Sequence, residues 1–439
     1  MKHRGLYSLF LVFIISWLFA GCFKAVEKPA PSPVPPAAAP APAPPVAPPV
    51  KPAEPAKKPV KAEGALVSVD PETLPPLFDS RDTDLLALEL AALRSISYYE
   101  KASWRKFRFG GDLYTADELK QSLLEFLRIL KGPEPPAVKD RLIRENFLAY
   151  KSVGRQSGSV LFTGYFEPIL NGSAQKTEKF KWPIYKTPDD LVVIDLGKFK
   201  DKYRGERIVG RVDKRELVPY YDRREIDHNN RLEGRKLEIA WFADPVDVFN
   251  LHIQGSGIIC FPDRKCIQVS YADANGRSYR SIGKYLQDRG KVNVQEMSYQ
   301  NINKYLREHP DELADILCRN ESYVFFRTVP QGPIGAIAVP LTAGRSIATD
   351  PAFFPRGALA LIKTRRPVFN KDGMLQSWTE FSRVVLNQDA GGAIKGPGRV
   401  DIFFGTGAQA ELEAGCMKEE GDLYFLVKKK SAPAISGIQ

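Results

Sequence analysis

Histidine and cysteine are scarce in this chain of 439 residues, which contains four histidines and five cysteines. His3, His228, His252 and His309 are scattered, and no two cysteines have Cys-x-x-Cys spacing. No metal site or bound cofactor is therefore expected, since metal sites draw on clustered His and Cys ligands. No serine stands in a nucleophile elbow, so a catalytic triad is poorly supported, and His252 is predicted to be structural or to contact substrate.

Long apolar runs are also rare. The one long run, from Leu6 to Ala20, has fifteen residues. That is too few to cross a bilayer, which excludes a polytopic membrane protein. Two cationic residues precede the run and Gly21-Cys22 follows it, the layout of an export signal with a bacterial lipobox. We predict that residues 1–21 are a lipoprotein signal peptide and that Cys22 carries the lipid; a plain secretory signal is the alternative.

The residues after Cys22 predict an anchor and a spacer over positions 22–64. Phe23 stands where an inner-membrane retention signal would place aspartate, which favours the periplasmic face of the outer membrane. The segment 29–60 holds 14 of the 35 prolines in the chain. Such a Pro/Ala-rich segment cannot bury a core, and in extended form it would reach on the order of 100 Å. We interpret it as a lipid-anchored tether.

Neither sign of charge is strongly in excess. The formal net charge is +11 for the whole chain and +6 once residues 1–63 are set aside. This excess does not argue for nucleic acid, whereas an acidic polymer outside the cytoplasm is compatible with it. An exported protein can form disulfides, and Cys260 with Cys266 is the expected pair. A monomer is expected.

Helical and strand patterns alternate along the rest of the chain. Helical periodicity predicts helices at 82–101, 115–130 and 137–152, the second of which begins with the capping-box residues Thr115 and Glu118. Alternating or short apolar runs predict strands at 160–166, 191–196, 238–242, 248–253 and 266–271. Helices follow at 279–287 and 294–318, and strands resume from 323 to 427. The fold class is α+β, mainly β, with the helices mostly N-terminal.

Carboxylates remain as candidates for chemistry, and three stand in unusual surroundings near the C-terminus: Asp350, Asp389 and Asp401. Strand alternation places Val400, Ile402 and Phe404 on one face and Asp401 with Phe403 on the other. A carboxyl beside an aromatic ring and partly out of water should have a raised pKa, as a proton donor needs near neutral pH.

Asp389 has a different setting. It precedes a glycine-rich stretch whose backbone amides can approach closely, and Lys395 is near in sequence, so Asp389 is expected to stay ionised. Two carboxyls held in opposite protonation states are the pattern expected of acid/base work on a glycosidic bond. Each aspartate taken alone also fits a turn cap or a buried, hydrogen-bonded acid.

Five runs of sequence carry a family resemblance. Residues 161–168, 244–257, 279–283, 387–396 and 400–407 resemble the membrane-bound lytic murein transglycosylase A family, in the same order and over about 160–427. The resemblance implies a double-psi β-barrel catalytic domain built from residues 65–167 and 330–439, the last part being similar to a small domain named for three aspartates. A second, β-barrel-like domain, residues 168–329, would be inserted and would form the substrate groove.

The same resemblance implies an activity and a set of site residues. Such enzymes cut the β-1,4 bond between N-acetylmuramic acid and N-acetylglucosamine of peptidoglycan without water and leave 1,6-anhydro ends. Asp401 would be the catalytic acid and base, Asp389 its polar supporter, and Glu167 the rival acid. Substrate contacts would come from Thr163, Tyr165, Glu167, Gln254, Gly255, Ser256, Asp350 and Lys395. A hydrolase of lysozyme type and a noncatalytic wall-binding lipoprotein are the alternatives.

Overall fold

The computed structural model describes residues 64–78, 84–293 and 298–430. The predicted signal peptide, Cys22 and the tether up to residue 63 lie outside the described residues. Within the described ranges, no helix combines the length and the apolar character needed to cross a membrane.

Strands dominate the described part of the chain. They are β1 Leu66–Val69, β2 Lys106–Phe109, β3 Asp112–Thr115, β4 Phe147–Ser152, β5 Val160–Glu167, β6 Ile169–Asn171, β7 Trp182–Tyr185, β8 Val192–Asp195, β9 Arg207–Asp213, β10 Glu216–Pro219, β11 Glu238–Phe242, β12 Ser256–Cys260, β13 Cys266–Ala274, β14 Val324–Val329, β15 Ser346–Ala348, β16 Leu359–Phe369, β17 Leu375–Asp389, β18 Arg399–Thr406 and β19 Lys418–Lys428.

Helices occur before, within and after the inserted segment. They are α1 Leu85–Lys101, α2 Ala116–Lys131, α3 Pro136–Asn146, α4 Arg223–Asp227, α5 Pro245–Gln254, α6 Ile282–Asp288, α7 Tyr299–Glu308, α8 Pro310–Cys318 and α9 Ala408–Cys416. The mainly β character is confirmed. The expectation that helices are mostly N-terminal is wrong, because only three of the helices described here precede β5.

The N-terminal helices follow local sequence signals closely. The capping box that begins α2 is confirmed: the Glu118 N–H donates to the Thr115 side chain, and the Glu118 carboxylate accepts from the Thr115 N–H at 2.7 Å. The third predicted helix ends earlier than expected, at Asn146. Residues 147–152 form β4 instead, because antiparallel pairing with β1 and β19 outweighs the helical spacing of their apolar side chains.

Six strands form a closed barrel, in the order β5, β18, β15, β17, β16 and β19, with β19 pairing back to β5. Strands β1 and β4 extend the sheet beyond β19. The barrel contributes apolar side chains to one hydrophobic core, in which Phe162, Leu361, Val385 and Phe425 are fully buried. Side chains of α1 and α2 belong to the same hydrophobic core. A barrel is therefore confirmed, whereas the double-psi topology and the domain boundaries stay predictions.

The inserted segment between β5 and β15 contains several small sheets. Strands β14, β13, β12 and β6 form one sheet, β10, β9 and β8 a second, and β11 pairs with β7. These sheets stay open among the described residues, so the expected barrel-like closure is not seen. The predicted disulfide between Cys260 and Cys266 is confirmed, and it joins residues that face each other on β12 and β13. Cys318 and Cys416 are free.

Two predicted elements of the inserted segment are wrong. The apolar run 248–253 is part of helix α5, because Asp244 caps the helix by accepting from the Val246 N–H at 2.8 Å and Gly255 ends it with φ 76°. The single helical passage predicted over 294–318 is divided into α7 and α8 at Pro310, which lacks the N–H that a continuous helix requires.

Candidate active site

Asp401 and Asp389 are brought into one row of the barrel by strand register. Ala348 of β15 faces Asp389 of β17 on one side and Asp401 of β18 on the other, and Asp401 faces Thr163 of β5. Because neighbouring strands lie about 4.8 Å apart, the two aspartate backbones are separated by roughly 10 Å. The small side chain of Ala348 fills the position between them.

Asp401 has the environment of a proton donor. The predicted alternation is confirmed, since Val400 and Ile402 are buried in the barrel core while Asp401 is half-buried on the opposite face. The Thr163 hydroxyl donates to the Asp401 Oδ1 at 2.8 Å. Burial raises the pKa of Asp401 to about 6, and the nearby Asp389 adds to the rise, while Thr163 and the Arg399 cation oppose it.

Asp389 is held by donors from two directions. The Tyr165 hydroxyl donates to its Oδ2 at 2.7 Å, and the Ala336 N–H donates to its Oδ1 at 2.9 Å. The Tyr165 ring also packs against Phe403, with ring centres 5.3 Å apart. Tyr165 therefore orients Asp389 and is itself held by its contact with Phe403.

The expected ionisation of Asp389 is only partly supported. Burial raises the pKa of Asp389, although its hydrogen bonds with Tyr165 and the backbone favour the charged form. Lys395 is exposed and forms no ion pair with Asp389 in the described ranges. The cation that acts on Asp401 is Arg399, which lies two residues before it and donates to the Thr163 hydroxyl at 3.2 Å.

Asp350 holds the loop that separates Asp389 from Asp401. Its carboxylate accepts from the Gly396 N–H at 2.8 Å and from the Ala352 N–H at 3.1 Å. Asp350 is nearly fully buried. Its geometry is that of a loop-positioning residue, in contrast to the substrate contact that was expected.

Glu167 lies buried between three strands. Only 1% of its surface is exposed, and its carboxylate accepts from Gln268 at 2.7 Å and from Thr406 at 2.9 Å. Burial raises the pKa of Glu167, and both hydrogen bonds oppose that rise. Glu167 ties β5 to β13 and to the end of β18. This setting favours a structural part, and the roles of substrate contact and rival acid stay predictions.

The Gln254–Ser256 stretch connects the inserted segment to the barrel. The Gln254 Oε1 accepts from the Phe166 N–H at 3.0 Å, and the Gly255 carbonyl accepts from the Tyr271 N–H at 2.7 Å. Ser256 is buried at the start of β12. Gln254 and Gly255 are half-exposed, so they remain candidates for the groove, while Ser256 has little surface to offer.

His252 proves to be structural. It is buried, and the Arg223 guanidinium donates to its Nδ1 across 3.0 Å. Burial, together with the charge of Arg223, lowers the pKa of His252 well below its usual value. Burial therefore favours the neutral form of the imidazole.

Two residues of the site were not predicted. Arg399 is one, and Tyr279 of the inserted segment is the other. The pKa of Tyr279 is raised, and the charges of Arg399 and Asp401 act on it in opposite directions, so Tyr279 lies within electrostatic reach of the candidate acid. Both residues lie in or beside the runs that carry the family resemblance, so the signal was present in the sequence. Their proximity to Asp401 was not visible there.

Comparison with known proteins identifies the family. A family model described as the MltA specific insert domain matches residues 161–327, and one described as the 3D domain matches residues 345–427. Membrane-bound lytic murein transglycosylase A of Escherichia coli K12 is 32% identical over 284 residues, which are 64% of this chain and 68% of that protein. The chain belongs to the membrane-bound lytic murein transglycosylase A family. As a member, it is an enzyme, a lytic transglycosylase.

Solved structures of the family have the same fold. The membrane-bound lytic murein transglycosylase from Agrobacterium tumefaciens superposes with a TM-score of 0.69 at 33% identity, covering 83% of this chain and 98% of that one. E. coli MltA with bound chitohexaose gives a TM-score of 0.57 at 28% identity, covering 79% and 90%. In this transglycosylase the 3D match contains all three aspartates, and the insert match contains Thr163, Tyr165 and Gln254.

Removal of the Thr163 hydroxyl should shift the pH profile of the transglycosylase. Thr163 lowers the pKa of Asp401, so in Thr163→Val we expect that pKa to rise above about 6 and the alkaline limb of kcat/KM to move up by about half to one pH unit. The measurement is kcat/KM against pH on soluble glycan strands. Thr328→Val, at an exposed position on β14, is the matched control. A limb that stays in place or moves down contradicts the assignment.

Proposed function

We propose that this transglycosylase cleaves the β-1,4 bond between N-acetylmuramic acid and N-acetylglucosamine in peptidoglycan and leaves 1,6-anhydro-N-acetylmuramic ends. The observation that carries the proposal is the environment of Asp401. This carboxyl is half-buried, is hydrogen-bonded to Thr163, and has its pKa raised to about 6 by burial. It can therefore carry a proton near neutral pH and yet be reached from the groove.

Asp401 acts in both steps. In the first step its carboxyl protonates the bridging oxygen, and the bond from that oxygen to the anomeric carbon of the muramic residue breaks. In the second step the Asp401 carboxylate takes the proton from the C6 hydroxyl of the same residue, and the C6 oxygen bonds to the anomeric carbon. One carboxyl thus serves as acid and then as base, which is the role reversal known from glycosidases. Atoms balance without water.

Asp389 supports this chemistry from a fixed position. Its carboxylate is engaged by Tyr165 and by the Ala336 N–H, so it raises the pKa of Asp401 by its charge without being free to act as a nucleophile. The cation that forms at the anomeric carbon is stabilised by the acetamido group of the sugar itself. This explains how a site with a single free acid can complete the reaction.

The groove lies where the inserted segment meets the barrel. Gln254 of the inserted segment accepts from the β5 backbone, and the Asp401 charge acts on the pKa of Tyr279 of the same segment. We assign residues 65–167 and 330–439 to the catalytic barrel, of double-psi type, and residues 168–329 to the groove-forming insert. A concave site between two such parts is a usual place for a ligand.

The enzyme acts from the periplasmic face of the outer membrane in this proposal. Support comes from the export signal over residues 1–21, the lipobox cysteine Cys22, and the proline-rich tether up to residue 64. The tether lets an anchored monomer reach glycan strands on the order of 100 Å away.

The decisive test is the mass of the products released from purified peptidoglycan. We expect fragments that end in 1,6-anhydro-N-acetylmuramic acid, each lighter by one water than the hydrolysed fragment. Fragments that carry the added water would replace the proposal with a hydrolase of lysozyme type. Sedimentation of the protein with the wall and no released fragments would leave a noncatalytic wall-binding lipoprotein.

A further inference from the structure

A strongly basic cavity lies between the barrel and the β8–β9 hairpin of the inserted segment. Its volume is about 630 Å³, within the range of ligand pockets. Five of its lining residues are cationic, namely Arg105, Lys106, Arg108, Arg207 and Arg356, and one, Asp195, is acidic. We call this the basic cavity.

Four of the five cations that line the basic cavity form no ion pair in the described part of the chain. Within the described ranges, Arg105, Lys106, Arg207 and Arg356 form no ion pair, and the Asp195 Oδ1 accepts from the Gly197 N–H. Burial lowers the pKa of Arg356, and the like charges of Arg105 and Arg207 lower it further. The cations come from three separate segments and repel one another across a concave surface. Such a surface attracts an anion, which would relieve the repulsion.

Both walls of the basic cavity are close in sequence to residues of the candidate active site. On the barrel side, the lining begins at Pro351, directly after Asp350, whose carboxylate holds Gly396 of the loop between the two candidate acids. On the other side, Val209 of β9 lies so close to Gly276 that a Cβ there would meet it at 2.6 Å. Gly276 is three residues before Tyr279, whose pKa the Asp401 charge raises.

We propose that the basic cavity binds the carboxylates of the short peptides that branch from the glycan strand. This inference rests on the proposed function, because it assumes that the strand lies in the groove beside Asp401. Peptides attached to the muramic residues project from the strand and carry several carboxylates. A concave cavity with an apolar floor at Phe353 and Phe354 suits such a branch better than it suits a flat membrane surface.

The test compares two substrates with the same enzyme. One is a preparation of soluble glycan strands with their peptides, and the other is the same preparation after an amidase has removed the peptides. For Arg207→Gln, Arg356→Gln and the double variant we expect KM on the peptide-bearing strands to rise, by about three- to tenfold in the double variant, with kcat unchanged. On stripped strands KM should equal that of the wild type.

The controls separate charge, folding and function. Lys214→Gln with Lys371→Gln removes two exposed cations at turn tips, and it should change neither KM. Thermal unfolding checks the fold, and the two single variants carry the comparison if the double variant does not fold. Equal effects on both substrates, or none, would overturn the inference. So would variants that lose binding only to vesicles of anionic phospholipid. KM is measured from the release of fragments, whether they have 1,6-anhydro ends or carry an added water. Products with added water would therefore refute the proposed function without deciding whether the basic cavity binds the peptides.

Discussion

The Asp401→Asn variant is expected to lose catalysis by a factor of about 10³ in kcat while keeping its affinity for glycan strands. Asparagine retains the size of the side chain and can accept from the Thr163 hydroxyl, so the contacts around position 401 are preserved. It cannot give a proton to the bridging oxygen or take one from the C6 hydroxyl. Both steps of the proposed reaction therefore fail together. The measurement is the rate of release of 1,6-anhydro products.

The same variant should not be less stable. Because burial raises the pKa of Asp401 to about 6, the folded chain binds this proton more tightly than the unfolded chain does. The stability contributed by the proton is complete below a pH of about 4 and is lost as pH rises through about 6. Near neutral pH the uncharged asparagine should leave the free energy of unfolding equal or higher, by at most about 3 kcal/mol. Denaturant unfolding of both proteins measures this difference.

Two comparisons make the Asp401 prediction decisive. Asp372→Asn, at an exposed turn, is the matched control and should keep wild-type activity. Asp389→Asn removes a carboxylate that supports Asp401 without contacting the reacting atoms, so its loss of kcat should be smaller. If Asp401→Asn keeps a kcat within tenfold of the wild type, Asp401 is not the catalytic acid. If Asp389→Asn loses more kcat than Asp401→Asn, Asp389 is the better candidate for that role.

Local sequence signals predicted the parts of the fold that are decided locally. The capping box at Thr115 and the alternation around Asp401 depend on residues within a few positions of each other, and both are confirmed. Helix α5 was missed because its apolar core, 248–253, fits either a strand or a buried helix. Its boundaries were nevertheless marked by Asp244-Pro245 and by Gly255, which are typical of a helix start and end.

The site was predictable in its residue types and less so in their roles. Glu167 looked available because its neighbours in sequence do not reveal Gln268 and Thr406, which lie 101 and 239 residues away and bury it. Lys395 was expected to be a partner of Asp389 because it is near in sequence. Its side chain is exposed instead, so nearness in sequence did not produce a contact. Proximity created by strand pairing, such as the row from Asp389 through Ala348 to Asp401, cannot be derived from spacing alone.

Gly421 lies where the barrel closes, and we expect Gly421→Ala to destabilise the fold strongly. At this residue β19 passes from pairing with β5, where Gly421 faces Val160, to pairing with β16 from Asp422 onward. A Cβ at Gly421 would lie 2.1 Å from the Lys363 carbonyl oxygen and 2.9 Å from the Thr364 Cβ. The nearest of these atoms belongs to the backbone of β16. Relief of the clash therefore requires the paired strands β16 and β19 to move apart. We expect a loss of about 2–4 kcal/mol in the free energy of unfolding.

The damage at Gly421 should reach the active site through β5. Lys418 of β19 faces Thr163, the residue that holds the Asp401 carboxyl, so separation of β19 from β5 would displace both. We therefore expect the Gly421→Ala variant to show a lower kcat/KM even at temperatures where it remains folded, together with the lower midpoint in denaturant. Gly111→Ala is the matched control, because a Cβ there would meet no atom within 4 Å. If the two alanine variants unfold at the same denaturant concentration, close packing at Gly421 does not maintain the barrel. If Gly421→Ala lowers the unfolding midpoint but leaves kcat/KM unchanged, the pairing of β19 with β5 does not affect Asp401.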